Sequence, residues 1–208
     1  MEWKETGGSF ESAPAGTHIA RCIKLIDIGT QQNEYQGQVT YPRQVIIAWE
    51  LPNELMSKGD FEGKPFTTSK FYTASLHEKA TLRKDLVNWR GRDFTEEELG
   101  GFDPKKILGA PCMLSLTLNE KQKIRISGVM ALPKGSHLPD QINKSVYFSL
   151  EPNLYDATLF ESFSEGIKKI IKQSPEWQHI NNPNGVVTNI KKSEQVGSFD
   201  DFEDDIPF

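Results

Sequence analysis

A chain of 208 residues with 37% hydrophobic and 25% charged side chains can bury one sizeable core, and its composition is that of an ordinary soluble globular domain with appendages. No run approaches the roughly 18 consecutive apolar residues of a membrane span, and Met1-Glu2-Trp3-Lys4-Glu5 lacks the apolar segment of a signal peptide, so a cytoplasmic location without a membrane partner is expected. The net charge of -5 does not exclude a nucleic-acid partner: residues 193–208 hold six acids and no base, leaving 24 basic against 23 acidic residues elsewhere.

Residues 1–16, rich in Gly, Ser and Glu and ending Ala13-Pro14-Ala15-Gly16, have no period and read as a flexible arm. Residues 17–28 read as a long strand, with Ile19, Ile23 and Leu25 on one parity and Ala20, Cys22, Ile26 and Ile28 on the other. Apolar residues on both sides predict a strand that bends, as barrel strands do. The polar segment 29–42, with Tyr35 and Tyr41 beside Gln31-Gln32-Asn33-Glu34, reads as an exposed loop. A second strand follows at 43–51, with Trp49 on the core parity of Val45 and Ile47. After the Lys58-Gly59-Asp60 turn, a third strand at 66–73 puts Phe66, Thr68, Lys70 and Tyr72 on one face.

The period then changes. Leu82, Leu86 and Trp89 fall on one stripe of a helix over 79–90, and Thr95-Glu96-Glu97-Glu98 has the form of a capping box opening a short second helix. Strands at 111–118 and 123–132 form a hairpin around Asn119-Glu120-Lys121-Gln122. In its second strand Ile124, Ile126, Gly128, Met130 and Leu132 read as the core face, and Lys123, Arg125, Ser127 and Val129 as a basic one. A linker after Pro133 leads to a short apolar piece at 146–150 and to a helix over 156–173, striped by Leu159, Phe163, Ile167, Ile170 and Ile171. Residues 181–208 read as a disordered acidic tail. The expected fold is mainly β with added helices: an OB-type five-stranded barrel over 17–180, with a helix between the third and fourth strands and a further helix at its C-terminal end. A five-stranded sheet of another kind satisfies the same element order.

Binding a nucleic acid without sequence preference needs cations along the phosphates and aromatic faces for the bases. The segment 64–92 supplies Lys64, Lys70, Lys79, Arg83, Lys84, Arg90 and Arg92 against two acids, interleaved with Phe66, Phe71, Tyr72 and Trp89. Trp89 and Trp49 read as core. Tyr72 shares a face with Lys70, which makes the two a candidate stacking and phosphate pair; Phe66 is a second candidate, and Lys123 and Arg125 extend the basic surface onto the hairpin.

Enzymatic readings fail on spacing. Pro65 stands where a phosphate-binding loop after Gly63-Lys64 needs Ser or Thr, and His77-Glu78 lacks the second histidine of a zinc-protease helix. Glu62-Gly63-Lys64 fits a bare nuclease E-x-K but belongs to a turn, with no carboxylate cluster to hold a metal. Cys22 and Cys112 sit singly in apolar runs and read as buried thiols. Neither an enzyme nor a cofactor is expected.

The chain ends Ser198-Phe199-Asp200-Asp201-Phe202-Glu203-Asp204-Asp205-Ile206-Pro207-Phe208. This ending resembles that of the single-stranded DNA-binding proteins of bacteria and their phages, whose hallmark is an acidic stretch closed by Asp-Asp-Ile-Pro-Phe. The resemblance implies that Asp204, Asp205, Ile206, Pro207 and Phe208 dock onto replication, recombination or repair proteins, with the final Phe and its carboxylate as anchor and the acids as electrostatic guides. The body departs from the usual bacterial member in its extra helices and short linker. The stretch from Ser75-Leu76-His77-Glu78-Lys79-Ala80 through Trp89-Arg90-Gly91-Arg92 resembles phage replication-region proteins of OB type. A phage-type binder acting in the host cytoplasm is the function implied, a single-strand annealing recombination protein is the alternative, and the oligomeric state stays open.

Overall fold

β1 spans Gly16–Thr30 and carries apolar side chains on both parities because both of its faces are covered. In the computed structural model, which describes residues 11–182, Ala20, Cys22 and Leu25 enter one core while Ile26 and Ile28 enter another. A bulge between Cys22 and Lys24 shifts the register and exchanges the two parities.

β1 also changes partner along its length. Gly16–Arg21 pairs antiparallel with β6 (Pro111–Leu118), and Arg21–Thr30 with β4 (Arg43–Leu55). β5 (Pro65–Thr73) continues the sheet beyond β4, and β7 (Ile124–Met130) beyond β6, giving the order β5-β4-β1-β6-β7. β8 (Val146–Phe148) joins β1 in parallel at Lys24–Ile26. The molecule is thus mainly β with added helices, and the five expected strands are present. The sheet is not closed: β5 and β7 come into contact but share no ladder.

α1 (Thr81–Arg90) packs against both β5 and β7, burying Leu86 and Trp89. It stops at Gly91, whose φ of 67° suits a residue without Cβ. Trp49 and Trp89 meet in this core with ring centroids 5.9 Å apart, and the Trp89 indole donates to the Pro111 carbonyl at 2.8 Å. The expected capping box is formed: Thr95 accepts from the Glu98 N–H, and the Glu98 carboxylate accepts from the Thr95 N–H, at the start of α2 (Glu96–Gly100).

The second core lies on the outer face. Phe148, Leu150, Phe160, Ile167, Ile170 and Ile171 close over Ile26, Ile28 and Ile46. The single helix expected over 156–173 is two, α3 (Ala157–Glu161) and α4 (Glu165–Lys172), because the Ser164 hydroxyl caps a new start by accepting from the Ile167 N–H. α5 (Pro175–Asn181) follows, capped by Ser174 with Pro175 in its first turn. Its Glu176 carboxylate accepts from the Thr30 N–H at 2.9 Å and the Thr30 hydroxyl at 2.6 Å, tying the helix to the end of β1. The close approach requires Gly29, where φ is 74° and a Cβ would lie 2.5 Å from the Ser174 Cβ. Between β7 and β8 the chain passes over β4, where the fully buried Glu50 carboxylate accepts from the Ile142 and Asn143 N–H groups at 2.8 and 2.7 Å.

Three further expectations change. The loop 29–42 contains a hairpin of β2 (Asn33–Tyr35) and β3 (Gln38–Thr40), turning on Gln36 and Gly37 at φ of 50° and 77°. In β7 a register shift beside Ser115 and Leu116 exchanges the faces, so Ile126 and then Val129 are buried while Met130 is exposed. Residues 11–16 of the arm are docked, since Glu11 accepts from the Ser57 N–H and hydroxyl and Ala13 is buried. Residues 1–10 and the tail from 183 onward lie outside the described residues. Both cysteines are buried, and desolvation pushes their thiols well above the ordinary range. No helix among the described residues is long and apolar enough to cross a membrane.

Candidate nucleic-acid interface

A groove of about 710 Å³ opens where β5 and β7 run together without a ladder. Lys70, Phe71, Tyr72 and Thr73 of β5 form one wall, Arg125 and Ile126 of β7 the other, and His77, Lys79 and Thr81 of the approach to α1 one end; Gln44 of β4 also lines it. Three cations, one from each strand and one from the turn before α1, therefore line one groove.

The Lys70 and Tyr72 pair is organised by Asp85 of α1. Lys70 Nζ lies 2.8 Å from Asp85 Oδ2, and the Tyr72 hydroxyl donates to the same oxygen at 2.8 Å. The Lys70 ammonium also sits 5.2 Å from the centroid of the Tyr72 ring. Burial first, and the Asp85 charge second, hold the Tyr72 phenol well above its usual range, so it remains a neutral donor. Lys70 keeps 21% of its side chain exposed and lines the groove while paired to Asp85.

This geometry corrects the stacking assignment. Tyr72 is 3% exposed and Phe66 7%, and neither presents a ring face to a base. The face shared by residues 66, 68, 70 and 72 is the inner one, covered by α1; strand parity groups these residues but does not say which side a later helix occupies. The exposed aromatic among the described side chains is Tyr41, at 52%, just after the β2–β3 hairpin.

The remaining basic candidates separate from the groove. Arg83 pairs with Asp93 at 3.0 Å and donates to the Leu76 carbonyl, holding the approach to α1 in place. Arg90 pairs with Glu98 and lies over the Phe94 ring at 4.3 Å, a structural position. Arg92 binds both oxygens of Glu98, at 2.8 and 2.9 Å. Lys84 is exposed on α1 away from the groove lining, and Lys64 lies over the Phe61 ring at 5.0 Å near the start of β5. Lys123 stands two residues before Arg125, in the β6–β7 connection. Of the ten residues expected to contact DNA, the groove thus gathers Lys70, Tyr72 and Arg125. It adds Lys79, already part of the basic segment, and Gln44 and His77, which sequence reasoning missed. His77 carried a signal only as a neighbour of Lys79; Gln44 carried none.

No family model and no curated protein matches this chain. Among the described residues, no three His, Cys, Asp or Glu side chains gather as a metal site. Asp204, Asp205, Ile206, Pro207 and Phe208 lie outside the described residues.

Proposed function

We propose that the protein binds single-stranded DNA without sequence preference through an OB-type barrel, and recruits replication or recombination proteins through its acidic C-terminal tip. The observation that carries this reading is the convergence of Lys70, Lys79 and Arg125 on one groove. Two features support it. The strand order β5-β4-β1-β6-β7, with α1 between β5 and β6, is the order in which an OB barrel is wound. The two connections that flank the ligand in such barrels here carry Tyr41 on one side and Lys121 and Lys123 on the other. Phosphates along a strand take the cations, and bases take the exposed aromatic face. The protein acts as a phage-type binder in the host cytoplasm, coating DNA rather than transforming it.

The test is an anisotropy titration with oligo-dT and with duplex DNA at two salt concentrations. Tight, salt-sensitive binding to the single strand is expected, with the duplex weaker. Replacing Lys79 and Arg125 by Ala should flatten the dependence of log K on log salt by about one unit per cation. Equal binding of duplex and single strand, or an unchanged slope, contradicts the reading.

A further inference from the structure

His77 stands in the turn between β5 and α1 and lines the groove with Lys70, Lys79 and Arg125. Its backbone N–H donates to the Ser75 hydroxyl at 3.1 Å, and its ring Nδ1 accepts from the Lys79 backbone N–H at 3.3 Å. A backbone N–H can only donate, so Nδ1 is the acceptor and carries no proton while this bond is made; the one ring N–H is then at Nε2. The turn that brings Lys79 to the groove is thus folded on an uncharged imidazole. Charge around the ring is one-sided. No Asp or Glu is among the described residues lining the groove. Asp85 of α1 is taken up by Lys70 and Tyr72, Arg83 of α1 is paired with Asp93, and Glu78, next in sequence, is exposed but outside the lining. A charged ring would join three cations, and the carboxylate to balance it is not in the groove.

We propose that His77 is a fourth phosphate contact that the ligand itself switches on: as a single strand enters the groove, the ring takes a proton from solvent at Nδ1, releases the Lys79 N–H, and donates from Nε2 to a phosphate oxygen. This rests on the groove being the single-strand site. Phosphodiesters supply the negative charge that the lining lacks, at the place where the ring needs it. The exchange of bonds also favours the charged form. What is lost is one neutral hydrogen bond at an exposed position, whereas a bond from imidazolium to phosphate is charge-assisted and roughly twice as strong. The freed Lys79 N–H lies in an exposed turn, where water can satisfy it. Binding and protonation are therefore linked, and affinity for the strand rises as pH falls through the imidazole range.

Oligo-dT titrations at fixed salt and at about pH 6 and pH 8 test this, because neither thymine nor a phosphodiester changes charge in that interval. A proton taken up on binding changes affinity by at most tenfold per pH unit, so the parent should bind about three- to tenfold more tightly at the lower pH. His77→Asn is the matching variant. Its Oδ1 can accept the N–H two residues on, as Asn does in turns, so the turn and the melting temperature should be kept, but its side chain cannot be charged. It should bind equally at both pH values. Calorimetry at pH 7 in two buffers of different ionisation enthalpy should show proton uptake on binding by the parent and less by His77→Asn. Equal affinity of the parent at both pH values, or a pH dependence that survives in folded His77→Asn, overturns the assignment of His77 while leaving the groove intact as a DNA site. Failure of the parent to bind oligo-dT at low salt at either pH overturns the reading of the groove itself, and the role of His77 with it.

Discussion

Asp85 places one carboxylate oxygen between a lysine and a tyrosine that sequence parity alone had paired. Converting it to Asn keeps an acceptor for the Tyr72 hydroxyl but removes the charge that holds the Lys70 ammonium. Asp85→Asn is expected to lower stability by about 1–3 kcal/mol, the range for a hydrogen bond to a charged group, as measured in urea melts. It should also strengthen oligonucleotide binding, because Lys70 is released toward the groove; weaker binding by a folded Asp85→Asn would mean that Lys70 acts only on Asp85. Tyr41, exposed at 52%, is the better candidate for stacking under the proposed function. Tyr41→Ala should weaken single-strand binding by about 1–3 kcal/mol with no change in Tm, and normal binding would remove it from the site. At this scale the sequence was informative about charge and parity. Lys70 and Arg125 were legible as cations on strands, whereas burial of Tyr72 and Phe66 depends on where α1 packs.

Among the elements, strands and helices with a clean period were legible before the structure: β4, β5, β6 and α1 repeat apolar residues as their geometry demands. Those that depend on a single hydroxyl or an uncommon turn were not. Ser164 divides one apolar stripe into α3 and α4, and Gln36 takes a left-handed conformation that Asn or Gly more often adopts at a hairpin tip. The clasp around α2 yields a pH prediction. Arg92 first, then the Thr95 N–H and Arg90, hold the Glu98 carboxyl at about 2, below its ordinary 4.5. A lowered carboxyl stabilises the fold fully above the unfolded value and loses that contribution as pH falls toward the folded one. The Tm difference between the parent and Glu98→Gln should therefore be constant above about pH 5 and close on descent toward pH 2. A difference independent of pH would show that the Glu98 charge does not hold the clasp. Gly29→Ala tests how α5 is docked: left-handed backbone alone costs a residue with Cβ about 1–3 kcal/mol, and the clash with Ser174 adds to it. A variant as stable as the parent in urea would show that β1 and α5 can separate there.

For the molecule as a whole, charge is divided between a basic groove and the six acids of residues 193–208. Under the proposed function, those acids, tethered to the same chain, would compete with phosphates for the cations. Deleting residues 200–208 is expected to leave single-strand affinity unchanged or raised, most visibly at low salt, where charges act over the longest distance. Loss of DNA binding in a folded deletion variant would instead make the tail part of the DNA site. Phe208→Ala retains every acid, so DNA binding should stay at the parent's level while capture of a tip-binding partner falls by about 2 kcal/mol or more. The overall architecture was legible as strand order; its second core was not, because apolar residues on both parities of β1 suit a bent strand as well as one packed on two sides. That strand also sets the timetable of folding. β1 is the first strand of the described chain to leave the ribosome, yet its Gly16–Arg21 edge has no partner until Pro111–Leu118 has been made, and Lys24–Ile26 waits for Val146–Phe148. Pairings so distant along the chain close slowly, and an apolar strand left half-paired meanwhile is a target for aggregation. The earliest of the described strands to be synthesised is the last of them to be completed, so nascent chains halted before residue 146 should depend most on chaperones.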